Sequence, residues 1–135
     1  MIIVFSTYPD RKSADAAASM LVEKRLAACV SIMRIEQSVY RWNKKVEKCP
    51  EWLLMIKTAK RAYPSLERYI KRTHPHRVPE IIYVDVEKGL PSYLRWLESS
   101  VSKALRVPLD RPAMRRTSRS PKELTKARKP KTSSR

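Results

Sequence analysis

Apolar positions along this chain change their period several times, and each change marks an element. Ile2 to Ser6 is a short continuous apolar run, which predicts a buried strand. Pro9-Asp10 then offers a turn and a helix start. Residues 11–25 place Ala14, Ala17, Ala18 and Leu21 on one stripe with charges elsewhere, which predicts an amphipathic helix. Residues 28–42 are rich in strand formers, among them Val30, Ile32, Val39 and Tyr40. Asn43-Lys44 suits a two-residue hairpin turn, because Asn tolerates positive φ, and residues 51–58 make the return strand. A second helix is predicted over 61–72, with Leu66, Tyr69 and Ile70 facing inward. Residues 79–86 read as a strand that Gly89 ends. Pro91 suits a first helical turn, and residues 92–105 place Leu94, Leu97, Val101 and Leu105 on one face.

This order predicts an α+β fold: a ferredoxin-like βαββαβ unit with an extended β-hairpin and a C-terminal helix. The hairpin permits a sharper inference. With Asn43-Lys44 as the turn, paired positions sum to 87. One face then carries Met33, Ile35 and Val39 beside Leu54, Trp52 and Ile56. The other carries Val30 and Ile32 beside Met55 and Leu53. Both faces are apolar, yet the helices of this fold cover only one, so the other needs a partner and a homo-oligomer is expected. Strands this long also exceed the usual 3–10 residues. The alternative is a bulge near Pro50 that shifts the register and spoils the two-faced reading. The same register sets Cys49 beside Ser38, nine residues from Cys29 or roughly 30 Å along the strand. A disulfide needs Cα atoms within about 7 Å, so none is expected.

Charge divides the chain. Residues 103–135 hold twelve Lys/Arg against Asp110 and Glu123, which is +10 of the whole chain's +17. Four prolines and few large apolar side chains accompany that charge. The predicted division is a folded domain over 1–105 and a basic disordered tail over 106–135. The opening apolar run lacks a basic region before it, and no stretch is long enough to cross a bilayer, so a cytoplasmic location is expected. A single glycine cannot build a phosphate-binding loop, and no Ser-His-Asp or Cys-His context is visible, so no enzyme is expected.

Two histidines are the sharpest candidate ligands. Pro75 biases His74 toward an extended conformation, in which His74 and His76 point the same way. Paired imidazoles suit Cu²⁺, and after it Zn²⁺ or Ni²⁺. The plain alternative is that His74 caps the second helix.

Six segments, in order, resemble one family. They are Ile3-Val4-Phe5-Ser6-Thr7-Tyr8-Pro9-Asp10, Leu26-Ala27-Ala28-Cys29-Val30, Ser38-Val39-Tyr40-Arg41-Trp42, Leu54-Met55-Ile56-Lys57-Thr58, His74-Pro75-His76-Arg77-Val78-Pro79-Glu80-Ile81 and Gly89-Leu90-Pro91-Ser92-Tyr93-Leu94-Arg95-Trp96-Leu97. Together they resemble CutA, the divalent-cation tolerance proteins, from residue 2 to about 101. The resemblance implies a ferredoxin-like domain, a homotrimer and a role in divalent-metal tolerance. It also implies copper ligands at the positions of Ser6, Thr73 and His74, of which only His74 keeps a ligating side chain. His76 stands where the family usually has Tyr. Matched positions at a possible cleft between subunits are Cys29, Tyr40, Trp42, Lys57 and Glu80; plain trimer packing is the favoured role for them, and a buried Lys57–Glu80 ion pair or part of a small-ligand pocket is the alternative.

Two other readings stand beside metal tolerance. One is a trimeric small-ligand module of the PII type, an analogy of architecture alone. The other is non-specific nucleic-acid association through the basic residues of 103–135, which carry no interleaved aromatic side chain for base stacking.

Overall fold

The computed structural model describes residues 1–103. The predicted boundary after residue 105, Leu105 and the basic tail lie outside the described residues. The elements are β1 (Ile2–Tyr8), α1 (Arg11–Glu23), β2 (Cys29–Trp42), β3 (Lys45–Thr58), α2 (Tyr63–Thr73), β4 (Ile82–Asp85) and α3 (Pro91–Ser100), with a 3₁₀ turn at Lys60–Ala62 before α2. The sheet order is β2-β3-β1-β4, and every neighbouring pair is antiparallel. This is the ferredoxin-like split βαβ topology, with the hairpin extended and a third helix appended.

Local chemistry sets the boundaries. The Asp10 carboxylate accepts from the Ser13 N–H at 2.7 Å and caps α1. No glycine is available to end that helix. Arg25 takes the left-handed conformation instead, at φ 57°. Asn43 and Lys44 both have positive φ, as the two-residue hairpin turn requires. That turn leaves no slack, so β3 begins at Lys45 rather than at Glu51. β4 is shorter than expected, and its four residues are all exposed. α3 stops at Ser100 instead of continuing to 105. Val101 turns extended there and buries itself against Ala59 and Ala62.

The hairpin register combines both expectations. From Trp42↔Lys45 to Ser38↔Cys49 the partners follow the predicted sum. Between Ile35↔Glu51 and Ser38↔Cys49 the register shifts, with Glu36 and Gln37 opposite Pro50 alone. This is a β-bulge, placed where a residue without an N–H cannot serve a ladder bond. Both cysteines are free.

The bulge corrects the composition of the faces, because a one-residue slip turns every side chain over. Val30 and Ile32 lie opposite Ile56 and Leu54, not beside Met55 and Leu53. With Ile2, Val4 and Tyr8 of β1 they pack beneath α1 and α2, against Ala14, Leu21, Leu66 and Ile70. The other face carries Met33 and Ile35 opposite Leu53 and Glu51, then Phe5 between Met55 and Ile82, then Ile3 beside Val84. Met33, Ile82 and Val84 keep 41%, 54% and 49% of their surface exposed. One apolar face is therefore covered within the chain and the other is bare.

Candidate functional site

His74 is the first residue after α2, and its extended backbone (ψ 139°) ends that helix. Its own N–H still bonds Ile70 O at 2.8 Å, so His74 is the helix cap. The chain then doubles back, because Pro75 follows and removes the next donor. This turn drives both imidazoles inward. His74 and His76 are 8% and 4% exposed, and their ring centroids are 4.9 Å apart. The Tyr8 ring also lies against His74, tilted, with centroids 4.2 Å apart.

Both nitrogens of His74 are engaged. The His76 backbone N–H donates to Nδ1 at 2.9 Å. Nδ1 is then the acceptor, so Nε2 carries the proton and donates to Thr7 O at 2.7 Å. His74 thus ties the end of α2 to the end of β1. Burial pushes its pKa down from 6.5 to about 4, and the neighbouring His76 adds to that. The bond to Thr7 O and the charge of Glu51 act in the opposite direction without overcoming it. His74 is a neutral ring at neutral pH.

The other implied copper positions offer little to a metal. Ser6 is buried on the helix-covered face, and Thr73 Oγ1 donates to Tyr69 O at 2.8 Å. Among the described residues no three His, Cys, Asp or Glu side chains converge. Within the single chain these residues do not fit a metal ion, because both ring nitrogens of His74 are already engaged in holding the fold.

The cleft residues fall into separate groups in one chain. Cys29 and Lys57 are cross-strand partners at the base of the hairpin, on the bare face. Lys57 Nζ donates to Ser31 Oγ at 3.3 Å. Tyr40 and Trp42 lie near the tip, more than ten residues along β2 and therefore roughly 30 Å or more away. The Tyr40 hydroxyl sits 3.9 Å from the Cys49 thiol, and desolvation holds its pKa above the usual phenol value. Glu80 lies in the exposed loop before β4. It is four residues ahead of Val84, whereas Lys57 and Val84 both flank Ile3, so the alternative of a Lys57–Glu80 ion pair is not made within the chain.

Sequence reasoning passed over Glu51. Its carboxylate is 3% exposed and accepts from Ser38 Oγ at 2.7 Å across the bulge. It also missed Trp52, whose ring has the Arg11 and Arg34 guanidinium groups at 5.2 and 5.9 Å. The signal for Glu51 was Pro50, since a bulge there changes which residues share its surroundings.

The family described as CutA1 divalent ion tolerance protein matches residues 2–100. The chain belongs to the CutA family. The divalent-cation tolerance protein CutA of Thermus thermophilus is 41% identical over 98 residues, covering 73% of this chain and 95% of that protein. Mouse protein CutA is 43% identical over 93 residues, covering 69% of this chain, which spans about half (52%) of the mouse protein's length. Among solved structures, CutA1 of Pyrococcus horikoshii superposes with a TM-score of 0.73 at 35% identity, over 76% of this chain and all of that one. CutA1 of rice gives 0.74 at 35% identity, over 76% and 94%. No helix among the described residues of this CutA chain is long and apolar enough to cross a membrane.

Proposed function

We propose that this protein acts in divalent-cation tolerance as a homotrimer, with copper as the cation to test first and zinc or nickel after it. Family membership supports the tolerance role. The observation that carries the assembly is the bare apolar face, where Met33, Ile82 and Val84 remain in water in the single chain. Self-association would also give the separated residues Cys29, Lys57, Glu80, Tyr40 and Trp42 a way to meet, tip of one subunit to base of another.

The cation reading carries a cost that the geometry makes visible. Binding at His74 and His76 gives up the His74 bonds to Thr7 O and from the His76 N–H, each contributing about 1 kcal/mol. Cu²⁺ leads the order of affinities for imidazole sites and is best able to offset that loss. Ligands from a neighbouring subunit would complete a set that the described residues of one chain lack. The role involves no catalysis. A cytoplasmic location belongs to the same proposal; one relative is named chloroplastic and another periplasmic.

Calorimetric titration of the full chain with Cu²⁺, beside His74→Ala and His76→Ala, tests the cation. Saturable binding near one ion per subunit that weakens in either variant is expected. Absence of saturable binding overturns it. Light scattering tests the assembly, and a monomer at micromolar concentration would contradict the trimer.

A second reading, a PII-like small-ligand cleft, draws on Lys57. Its half-buried ammonium has a hydroxyl neighbour and, among the described residues, no ion pair, so a small anion would complete its shell. Saturable nucleotide binding abolished in Lys57→Ala is the expected outcome of that reading.

A further inference from the structure

We propose that the open cleft at the C-terminal end of α3 binds the phosphate backbone of nucleic acid, without sequence preference. The cleft has a volume of about 930 Å³ and is lined by Arg61, Leu94, Arg95, Glu98, Ser99 and Lys103. Three of those six side chains are cations and one is a carboxylate. That carboxylate is already used, because Arg61 pairs with Glu98. Among the described residues Arg95 and Lys103 make no ion pair, so within the described domain both present their positive charge to the cleft.

A helix C-terminus would ordinarily add negative field at such a place. Here it is neutralised from within the domain. Arg25 donates to Ser99 O at 2.9 Å and to Ser100 O at 3.3 Å. Arg61 donates to Glu98 O and to Val101 O, each at 3.2 Å. The end of α3 is thus ringed by four cations, Arg25, Arg61, Arg95 and Lys103, around one paired carboxylate.

Position along the chain favours a linear polyanion. Lys103 stands on the wall of this cleft. Lys103 also opens the stretch that carries twelve Lys/Arg against two acids. A phosphate strand held by those residues would pass the cleft at their root, and the cleft adds contacts that the tail's own sequence does not supply. A concave opening lined by cations fits a strand of phosphates, whereas a lipid headgroup layer is flat and favours convex surfaces with apolar anchors. Each phosphate neutralised releases counterions, which makes the binding salt-dependent and indifferent to base identity.

The test uses the full chain and a fluorescently labelled oligo(U) of about 20 nucleotides, long enough to span several contacts. Anisotropy is followed between about 50 and 200 mM KCl. The expected result is binding whose affinity falls with salt. In Arg95→Glu/Lys103→Glu, loss of two contacts should lower the slope of log affinity against log salt by about 1.4 and the affinity by about tenfold. An unchanged Tm in that variant shows that the fold is kept. If it fails to fold, Arg95→Gln/Lys103→Gln is read instead, with the same slope expected. A slope and affinity identical to the parent's overturn the proposal, as does no binding at the lowest salt. Vesicles of equal parts phosphatidylserine and phosphatidylcholine form the other arm. Vesicle binding that needs Arg95 and Lys103, with oligo(U) binding that does not, also overturns it.

Discussion

On one face of the sheet, Val4, Leu54 and Ile56 are sealed beneath α1 and α2; on the other, Met33, Ile82 and Val84 keep 41 to 54% of their surface in water. The side chains are similar in kind. What differs is the cover. The first face is closed by residues of the same chain, so its stabilisation is fixed once the chain folds. The second has no cover among the described residues, so under the proposed self-association its contribution depends on concentration. A sheet with both faces apolar is thus half a folding problem and half an assembly problem.

The largest expected effect tests that division directly. Ile56→Ala removes a fully buried side chain from the covered face and should cost about 2–5 kcal/mol in urea unfolding. Met55→Ala, one position along on the bare face, should cost the isolated subunit far less. Under the proposed self-association it should instead weaken assembly, seen in light scattering as dissociation at a higher protein concentration than in the parent. Equal losses in monomer stability would show that the two faces do not differ as described.

Next in size is an acid effect confined to the covered side. The buried His74 ring must stay neutral to accept the His76 N–H and donate to Thr7 O. Its pKa is depressed in the folded state to about 4, from 6.5, so the unfolded chain binds the proton first. The stabilisation is complete above pH 6.5 and is lost as the pH falls toward about 4, on the order of 3 kcal/mol in all. Urea midpoints measured at pH 7 and pH 4.5 should show most of that loss in the parent. They should show a smaller pH-dependent loss in His74→Gln, which cannot titrate. An equal loss in both would remove His74 as the cause.

The smallest effect belongs to the hairpin tip, remote from both faces. Lys44 holds φ 63°, a conformation that costs a side-chain-bearing residue about 1 kcal/mol. Lys44→Gly should therefore stabilise the hairpin by about 0.5–1 kcal/mol, set against glycine's greater freedom when unfolded. A lower Tm would show that the Lys44 side chain contributes more than its backbone strain removes.

Much of this was legible in the sequence, for reasons that can be named. Periodicity placed every element in order. Asn43-Lys44 fixed the turn, and that turn alone fixed the register out to Ser38↔Cys49. Legibility stopped at Pro50. A missing N–H announces that a ladder bond fails, but not on which strand the extra residue sits, and the side chosen here turned over the whole base of the hairpin. The end of α3 was misread for a different reason. Leu105 continues the helical period, so the pattern gave no stop, while burial of Val101 against Ala59 and Ala62 ended the helix at Ser100. At the candidate site the sequence suggested His74 and His76 on one side of the chain, and their rings lie 4.9 Å apart. It did not reveal that the side was inward, because that depends on Tyr8 and Thr7, more than sixty residues earlier.

One detail of α3 has a practical reach. Its stop signal is written elsewhere in the chain: Arg25 and Arg61 hold its last carbonyls, and Ser102 N–H bonds back to Arg25 O at 2.9 Å. The α3 terminus is therefore clasped both to the loop after α1 and to the 3₁₀ turn before α2, so Arg25→Ala or Arg61→Ala should loosen two distant parts of the domain at once.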